Sequence, residues 1–220
     1  MFWATQVTLP IEVAGVRIPN TSLANEATQF VSGVTPLWLL NHLLRTYVFA
    51  ELLGRRSAMK YDSELLYLGA MMHDLGLTDE FAGIQRFELD GADAASRFLQ
   101  KHGVSKRRIQ LVWDSVAFHT LRGIYDRVRA EVALVGYGVL ADTIGTGINK
   151  LSAKQVREVL ETWPRHGFRY AFPQLVAEIV GRKPETTAGS FAADVLRQRG
   201  IEVPNIFKDM DLAAFEGRSG

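Results

Sequence analysis

The sequence of 220 residues contains no cysteine. A chain without cysteine forms neither a disulfide framework nor a thiolate metal site, so histidine and carboxylate side chains remain as the metal ligands to look for. The absence is also compatible with a reducing compartment, and we expect a cytoplasmic protein.

The sequence also lacks an excess of either charge and any long apolar run. Its 25 Lys and Arg residues nearly balance 24 Asp and Glu residues, and no basic run suggests a nucleic-acid-binding surface. No segment approaches the roughly 18 unbroken apolar residues that span a membrane, and the N-terminus lacks the pattern of a signal peptide. We therefore expect a small-molecule partner, no nucleic acid and no membrane. The apolar C-terminal segments allow a homo-oligomer without requiring one.

Hydrophobic residues make up 47% of the chain, which suits a single large core. Residues 1–20 contain Pro10, Gly15 and Pro19 and read as a short irregular N-terminal arm. From residue 21 to residue 220 the apolar positions recur mostly at helical spacing. The expected fold class is therefore all-α, with one helical bundle following the arm.

Several helix boundaries follow from capping residues and breakers. Thr35 followed by Pro36 predicts a helix start, and Gly54 predicts its end. A second apolar helix is expected to end at His73-Asp74, before Gly76. Further helices are expected over 90–101, from Ser105 to about 119, and over 132–148, 152–160, 173–180, 190–199 and 212–215.

The pair His73-Asp74 is the first candidate site. Both side chains follow an apolar run, where polar groups are costly unless something binds them. An imidazole nitrogen and a carboxylate oxygen can bind one divalent cation, provided that the helix ends there and lets the two neighbours converge. A helix-terminal histidine beside a solvated aspartate is the alternative, since two residues make a weak motif.

Two further residues strengthen the metal interpretation. His42 interrupts the most apolar helix, and Asp142 is a lone carboxylate in another apolar helix. A buried histidine is commonly satisfied by one hydrogen bond, but a buried carboxylate needs a cation or a strong donor. One metal ion bound between helices would account for His42, His73, Asp74 and Asp142 together, in a metal core over about 35–148.

The order His, His-Asp and a distant Asp resembles the HD superfamily of metal-dependent hydrolases. Longer segments are similar to the cyanamide hydratase branch of that superfamily, in the same order along the chain, with an Arg-Phe-Glu block and a His-Thr block as the more specific signals. The matching segments are residues 41–47, 66–78, 86–95, 117–120 and 136–145. After about residue 152 little supports the resemblance.

The resemblance implies an HD-type helical domain over residues 21–220 with one metal ion bound by His42, His73, Asp74 and Asp142. Zinc is the expected ion, with Fe²⁺, Mn²⁺ or Ni²⁺ as alternatives. The implied reaction adds metal-activated water to a small nitrile such as cyanamide, giving urea. Asp74 and His119 are the implied catalytic residues, and a hydrogen bond that holds a ligand carboxylate is the alternative role of His119.

Candidate substrate contacts lie on the matching segments: Asn41, Arg45, Glu88 and Thr120. Arg45 shares a helical face with His42 and could instead pair with an interior carboxylate, and Glu88 could instead be a helix-start carboxylate. Two other functions stay open, a phosphohydrolase acting on a nucleotide or small phosphomonoester and a non-catalytic metal-binding domain. Phosphate would call for several convergent basic residues, and Arg45 is the only one on the ligand-bearing segments.

Overall fold

A computed structural model describes residues 7–204 of the chain. The N-terminal arm forms a small antiparallel hairpin of β1 (Glu12–Val13) and β2 (Val16–Arg17), with Glu12 opposite Arg17. Its turn uses two left-handed residues, Ala14 and Gly15. Val13 and Val16 are buried, so the arm packs onto the helices.

The rest of the described chain is helical, and the predicted all-α class is confirmed. The helices are α1 (Ser22–Ser32), α2 (Leu37–Arg56), α3 (Ser63–Met72), α4 (Phe87–Lys101), α5 (Lys106–Phe118), α6 (Ala130–Ile144), α7 (Ala153–Thr162), α8 (Phe168–Val180) and α9 (Phe191–Gln198). None of the helices within residues 7–204 combines the length and apolar character that crossing a lipid bilayer requires.

Helix α2 occupies the centre of the bundle and packs most closely against α6. Apart from its two ends it is buried on every side, as its apolar sequence predicts. Gly138 of α6 makes the close approach possible, because a Cβ atom there would lie 2.3 Å from the backbone oxygen of Thr46. The same contact places Asp142, one turn further along α6, against His42 of α2.

Gly138→Ala is expected to lower the free energy of unfolding by about 1–3 kcal/mol, because an added methyl group overpacks the α2–α6 contact. Gly33→Ala is the matched control. The nearest atom to a Cβ at Gly33 is the Phe30 oxygen at 3.4 Å, and we expect a change within about 0.5 kcal/mol. Chemical denaturation measures both values, and equal effects would contradict the close approach.

Several helix boundaries differ from the sequence prediction. Helix α2 runs past the predicted end at Gly54 to Arg56. The N-cap of α2 is Pro36, and the hydroxyl of Thr35 donates to the Val31 carbonyl instead. Helix α4 begins at Phe87, so Asp90 lies in its first turn, where the carboxylate accepts from the backbone N–H of Gly83 in the preceding loop. Two helix ends complete the differences: α6 stops at Ile144, before the left-handed Gly145, and α8 begins at Phe168, with Pro173 inside it. The helix predicted over 212–215 lies outside the described residues.

Helices α8 and α9 form a hydrophobic cluster of their own, separate from the main core. Leu77 and Phe87 are the fully buried members of this cluster that come from the chain before α8. A buried ion pair also ties the segment between α8 and α9 to α4, since the Lys183 ammonium group donates to the Asp90 carboxylate. The C-terminal helices are thus attached over the turn that follows α3.

Candidate metal centre

The turn after α3 brings His73 and Asp74 to the same point. His73 is the C-cap of α3, and Asp74 precedes a short 3-10 turn over Leu75–Leu77. Gly76 allows this turn to press against α4, because a Cβ atom there would lie 1.9 Å from the Phe87 carbonyl oxygen. The helix ends where the sequence predicts, so the two neighbouring side chains are free to converge.

Three donor atoms converge beside this turn. The Nε2 atoms of His42 and His73 are 3.2 Å apart, and they lie 3.6 Å and 3.2 Å from Oδ2 of Asp74. Ligands at about 2.1 Å from a tetrahedral ion are separated by about 3.4 Å. The three side chains therefore fit three corners of a zinc-type coordination site.

The carboxylate of Asp74 supports the same conclusion. Both of its oxygen atoms are buried and lack a hydrogen-bond partner. His42, His73 and Asp74 expose 0%, 1% and 1% of their surface, so bulk water does not solvate this charge. A buried carboxylate without a donor is strongly unfavourable unless a cation binds it, and the residues present therefore fit a divalent metal ion.

Both metal-facing imidazoles are held in the tautomer that metal binding needs. Nδ1 of His42 donates to Oδ2 of Asp142 at 2.6 Å, and Nδ1 of His73 donates to the Ala70 carbonyl oxygen at 2.8 Å. With the proton on Nδ1, the lone pair of each Nε2 points into the site. The sequence predicts the two ligands, and the structure adds the acceptors that orient them.

Asp142 lies behind His42 rather than beside the other three donors. Its carboxylate accepts from Nε and Nη2 of Arg45 at 2.7 Å and 2.8 Å, in addition to His42. The side chains of His42, Arg45 and Asp142 are all fully buried. Asp142 is thus fully bonded in this arrangement, and its predicted direct contact with the metal stays a prediction.

His119 closes the other side of the site. It is the C-cap of α5, Nδ1 donates to the Val116 carbonyl oxygen at 2.6 Å, and Nε2 lies 3.7 Å from Oδ1 of Asp74. The hydroxyl of Thr120 donates to Oε1 of Glu88 at 2.7 Å, which fixes the carboxylate near His119. The structure therefore brings His119, Glu88 and Thr120 together at the end of α5.

The charges in the site shift several pKa values. Burial raises the pKa of Asp74, but the charge and polar contact of His73, together with the charges of His42 and His119, outweigh burial and lower it to about 2. Burial lowers the pKa of His73, yet the charge and polar contact of Asp74, the hydrogen bond to the Ala70 carbonyl and the charge of Asp142 together leave it above its usual value. Burial, followed by the charge of His73, lowers the pKa of His119 to about 4. The Asp74 carboxylate is thus ionised at neutral pH, as a metal ligand must be.

Asn41 and Arg45 have a different environment from Glu88 and Thr120. The side-chain amide of Asn41 donates to the Pro164 carbonyl oxygen at 2.9 Å, and Nη1 of Arg45 donates to the carbonyl oxygens of Trp163 and Pro164. Both side chains hold the segment before α8 against α2. Their predicted contacts with a substrate stay predictions, as do those of Glu88 and Thr120.

Two phenylalanines at the site were not expected from the sequence. The ring of Phe168 stacks on His42 with a centroid distance of 4.6 Å, and Phe172 stacks on Phe168 at 5.0 Å. Their spacing of four residues on a helix is a signal that they share a face. The sequence offers no signal that this face covers His42.

The sequence model of the HD domain family matches residues 39–181. This span contains His42, His73, Asp74, His119 and Asp142, and it reaches from α2 to the end of α8. No curated protein matches the chain.

Proposed function

The chain belongs to the HD domain family, and we propose that it is a metal-dependent hydratase that adds water to a small nitrile-type substrate such as cyanamide. The observation that carries the proposal is the triangle of His42, His73 and Asp74 donor atoms with the unbonded Nε2 of His119 beside it. HD domains are mostly metal-dependent hydrolases, and a hydration uses the same activated water without a leaving group.

Three protein donors suit a catalytic ion, because they leave coordination positions open for other molecules. Two imidazoles and one carboxylate at tetrahedral spacing favour zinc over an ion such as Mg²⁺, which prefers oxygen ligands. Bound there, the ion would act as a Lewis acid that lowers the pKa of water and polarises a C≡N group.

His119 is the side chain that we propose moves the protons. In the hydration of cyanamide, the water oxygen bonds to the nitrile carbon and both water protons end on nitrogen, which yields urea after rearrangement of the isourea. Nε2 of His119 has a free lone pair because the proton is fixed on Nδ1 by the Val116 carbonyl. It can accept a proton from water and return it to the substrate nitrogen. Glu88, held by Thr120, would orient the substrate.

The paired state of nearby arginines favours a neutral substrate over a phosphate ester. Arg45 and Arg165 contact the carboxylate of Asp142, and Arg86 contacts that of Glu88. Arg45 is also bonded to two backbone carbonyls, so four of its five N–H groups are used. A phosphomonoester needs cationic groups that are free to meet it, which makes the phosphohydrolase the second candidate. A cytoplasmic location and a homo-oligomer stay predictions.

The zinc-loaded protein is expected to form urea from cyanamide and to leave a chromogenic phosphate ester intact. Both assays are run on the same preparation, with chelator-treated protein as the control that should lose urea formation. Reloading the treated protein with Zn²⁺, Fe²⁺, Mn²⁺ or Ni²⁺ identifies the ion that restores activity. Hydrolysis of the ester without any urea would instead show that the phosphohydrolase is the correct function.

Asp142→Asn is expected to weaken zinc binding by about 10–100-fold, because an outer carboxylate that orients a ligand histidine has an effect of this size. The substitution keeps an oxygen that accepts from Nδ1 of His42. Competition with a zinc chelator of known affinity measures the change. If Asp142→Asn instead loses the ion completely, as a variant that lacks a ligand histidine does, Asp142 binds the metal directly.

A further inference from the structure

The metal centre is closed to solvent in this structure. His42, His73 and Asp74 are at most 1% exposed, and His119 is 3% exposed. A small-molecule substrate cannot reach donor atoms that are this deeply buried unless part of the protein moves. The side chains that cover the site therefore decide which molecules are admitted.

Helix α8 supplies the cover over His42. Phe168, the first residue of α8, is buried and stacks on the imidazole with an interplanar angle of 29°. Phe172, one turn later, stacks on Phe168 and lies 5.8 Å from His42. One ring of α8 thus stacks on the His42 imidazole, and a second ring of the same helix backs the first.

The chain before α8 is fixed, which limits where the cover can move. Asn41 and Arg45 bond the carbonyls of residues 163 and 164, and Arg165 donates to the backbone oxygen of Asp142 at 2.5 Å. His166 and Gly167 follow with φ values of +44° and +76°. A non-glycine residue with positive φ is strained, and strained backbone is a common place for a hinge.

The packing of α8 also permits movement. Its apolar residues from Phe172 to Val180 belong to the α8–α9 cluster, which is separate from the core that holds α2, α3, α5 and α6 together. Movement of α8 would therefore break its contacts with Leu77 and Phe87 and leave the packing among α2, α3, α5 and α6 in place. Segments that are packed outside the main core open at lower free-energy cost than the core itself.

We propose that Phe168, backed by Phe172, is the specificity-determining residue of the site: α8 opens at residues 166–167 to admit substrate, and the closed rings restrict it to a molecule of a few heavy atoms. The size restriction rests on the proposed hydratase function, whereas the gating of access does not. Cyanamide fits such a closed site, and N-phenylcyanamide carries the same reactive group with an added ring.

The test compares zinc-loaded wild-type protein, Phe168→Ala, Phe168→Leu and the control Tyr170→Ala. Tyr170 lies on the same helix and is 76% exposed, so its loss should not affect the site. The first readout is the rate at which excess EDTA removes zinc. Removal should be about tenfold faster or more in Phe168→Ala, since apolar groups around a metal control access to it. Phe168→Leu should be intermediate, and Tyr170→Ala should match the wild type.

The second readout is the ratio of kcat/KM for N-phenylcyanamide to that for cyanamide. Wild-type protein should favour cyanamide, and Phe168→Ala should raise the ratio by about tenfold or more, because pocket size discriminates on this scale. If Phe168→Ala is unfolded, Phe168→Leu decides both readouts.

The outcomes separate the two proposals. Zinc removal at the wild-type rate from folded Phe168 variants would overturn the cover, whether or not cyanamide is hydrated. Faster removal with an unchanged substrate ratio would overturn Phe168 as the specificity determinant. If zinc is removed faster but the protein hydrates neither cyanamide nor N-phenylcyanamide, the result would support the gating of access and refute the hydratase function.

Discussion

His73→Ala is expected to lose its metal ion and, with it, all formation of urea from cyanamide. His73 provides one of three converging donor atoms, and its Nε2 is the closest imidazole nitrogen to Asp74, at 3.2 Å. Removing it leaves two donors, and the affinity should fall by more than the roughly 100-fold that follows loss of an outer partner. Metal analysis after dialysis against a weak chelator measures the retained ion.

His102→Ala is the matched control for this experiment. His102 lies at the end of α4, where Nδ1 donates to the Phe98 carbonyl and Nε2 pairs with Glu26, far from the converging donors. The His102→Ala substitution removes the same type of side chain without changing the site, so this variant should keep one metal ion for each chain. Stoichiometric metal in His73→Ala would show that the assignment of the ligands is wrong.

Arg45→Met is expected to reduce the free energy of unfolding of the metal-free protein by about 3–5 kcal/mol, the usual cost of leaving one member of a buried ion pair alone. The guanidinium group meets the Asp142 carboxylate through two hydrogen bonds, and both side chains are fully buried. Without Arg45, the carboxylate keeps only the imidazole of His42 and the weaker contact to Arg165. Urea denaturation in the presence of a chelator gives the value.

A surface pair and a double variant test the cause of this loss. Arg197→Met breaks the exposed pair with Asp194 and should cost less than about 1 kcal/mol. In the Asp142→Asn background, Arg45→Met should cost less than in the wild type, with a coupling of about 0.5–3 kcal/mol. If Arg45→Met lowers the free energy of unfolding equally in both backgrounds, the ion pair between Arg45 and Asp142 is not the cause of the loss.

Much of this architecture is readable from the sequence because local physics determines it. The apolar run of α2 predicts a central buried helix, and Gly76 predicts the end that lets His73 and Asp74 converge. The helix predicted from residue 152 is also present as α7, and a capping box of Ser152 with Gln155 opens it. Capping and periodicity act within a few residues, so they survive folding largely unchanged.

Contacts between side chains that are far apart in the sequence are not predictable in the same way. Arg45 and Asp142 are separated by 97 positions, and only the close approach of α2 and α6 reveals that they pair. The sequence predicts Asp142 among the metal ligands because a buried carboxylate needs a positive partner, and this direct contact with the metal stays a prediction. The structure provides two partners, His42 and Arg45, which sequence spacing cannot distinguish from a metal ion.

The cover over the site was missed for a related reason. The sequence predicts α8 from Pro173 onward, whereas the helix begins at Phe168 after the left-handed Gly167. The sequence prediction therefore does not include Phe168 in a helix. Its contact with His42 is a tertiary contact between α8 and α2, which no local pattern encodes.

Anomalous diffraction from crystals of the zinc-loaded protein would test the central claim most directly. The account predicts one zinc ion for each chain, at about 2.0–2.2 Å from Nε2 of His42, Nε2 of His73 and a carboxylate oxygen of Asp74. The position of Asp142 in the same map would show whether its carboxylate stays with Arg45 or joins the ion. A zinc ion bound elsewhere, with these three side chains not in contact with any metal, would contradict the account.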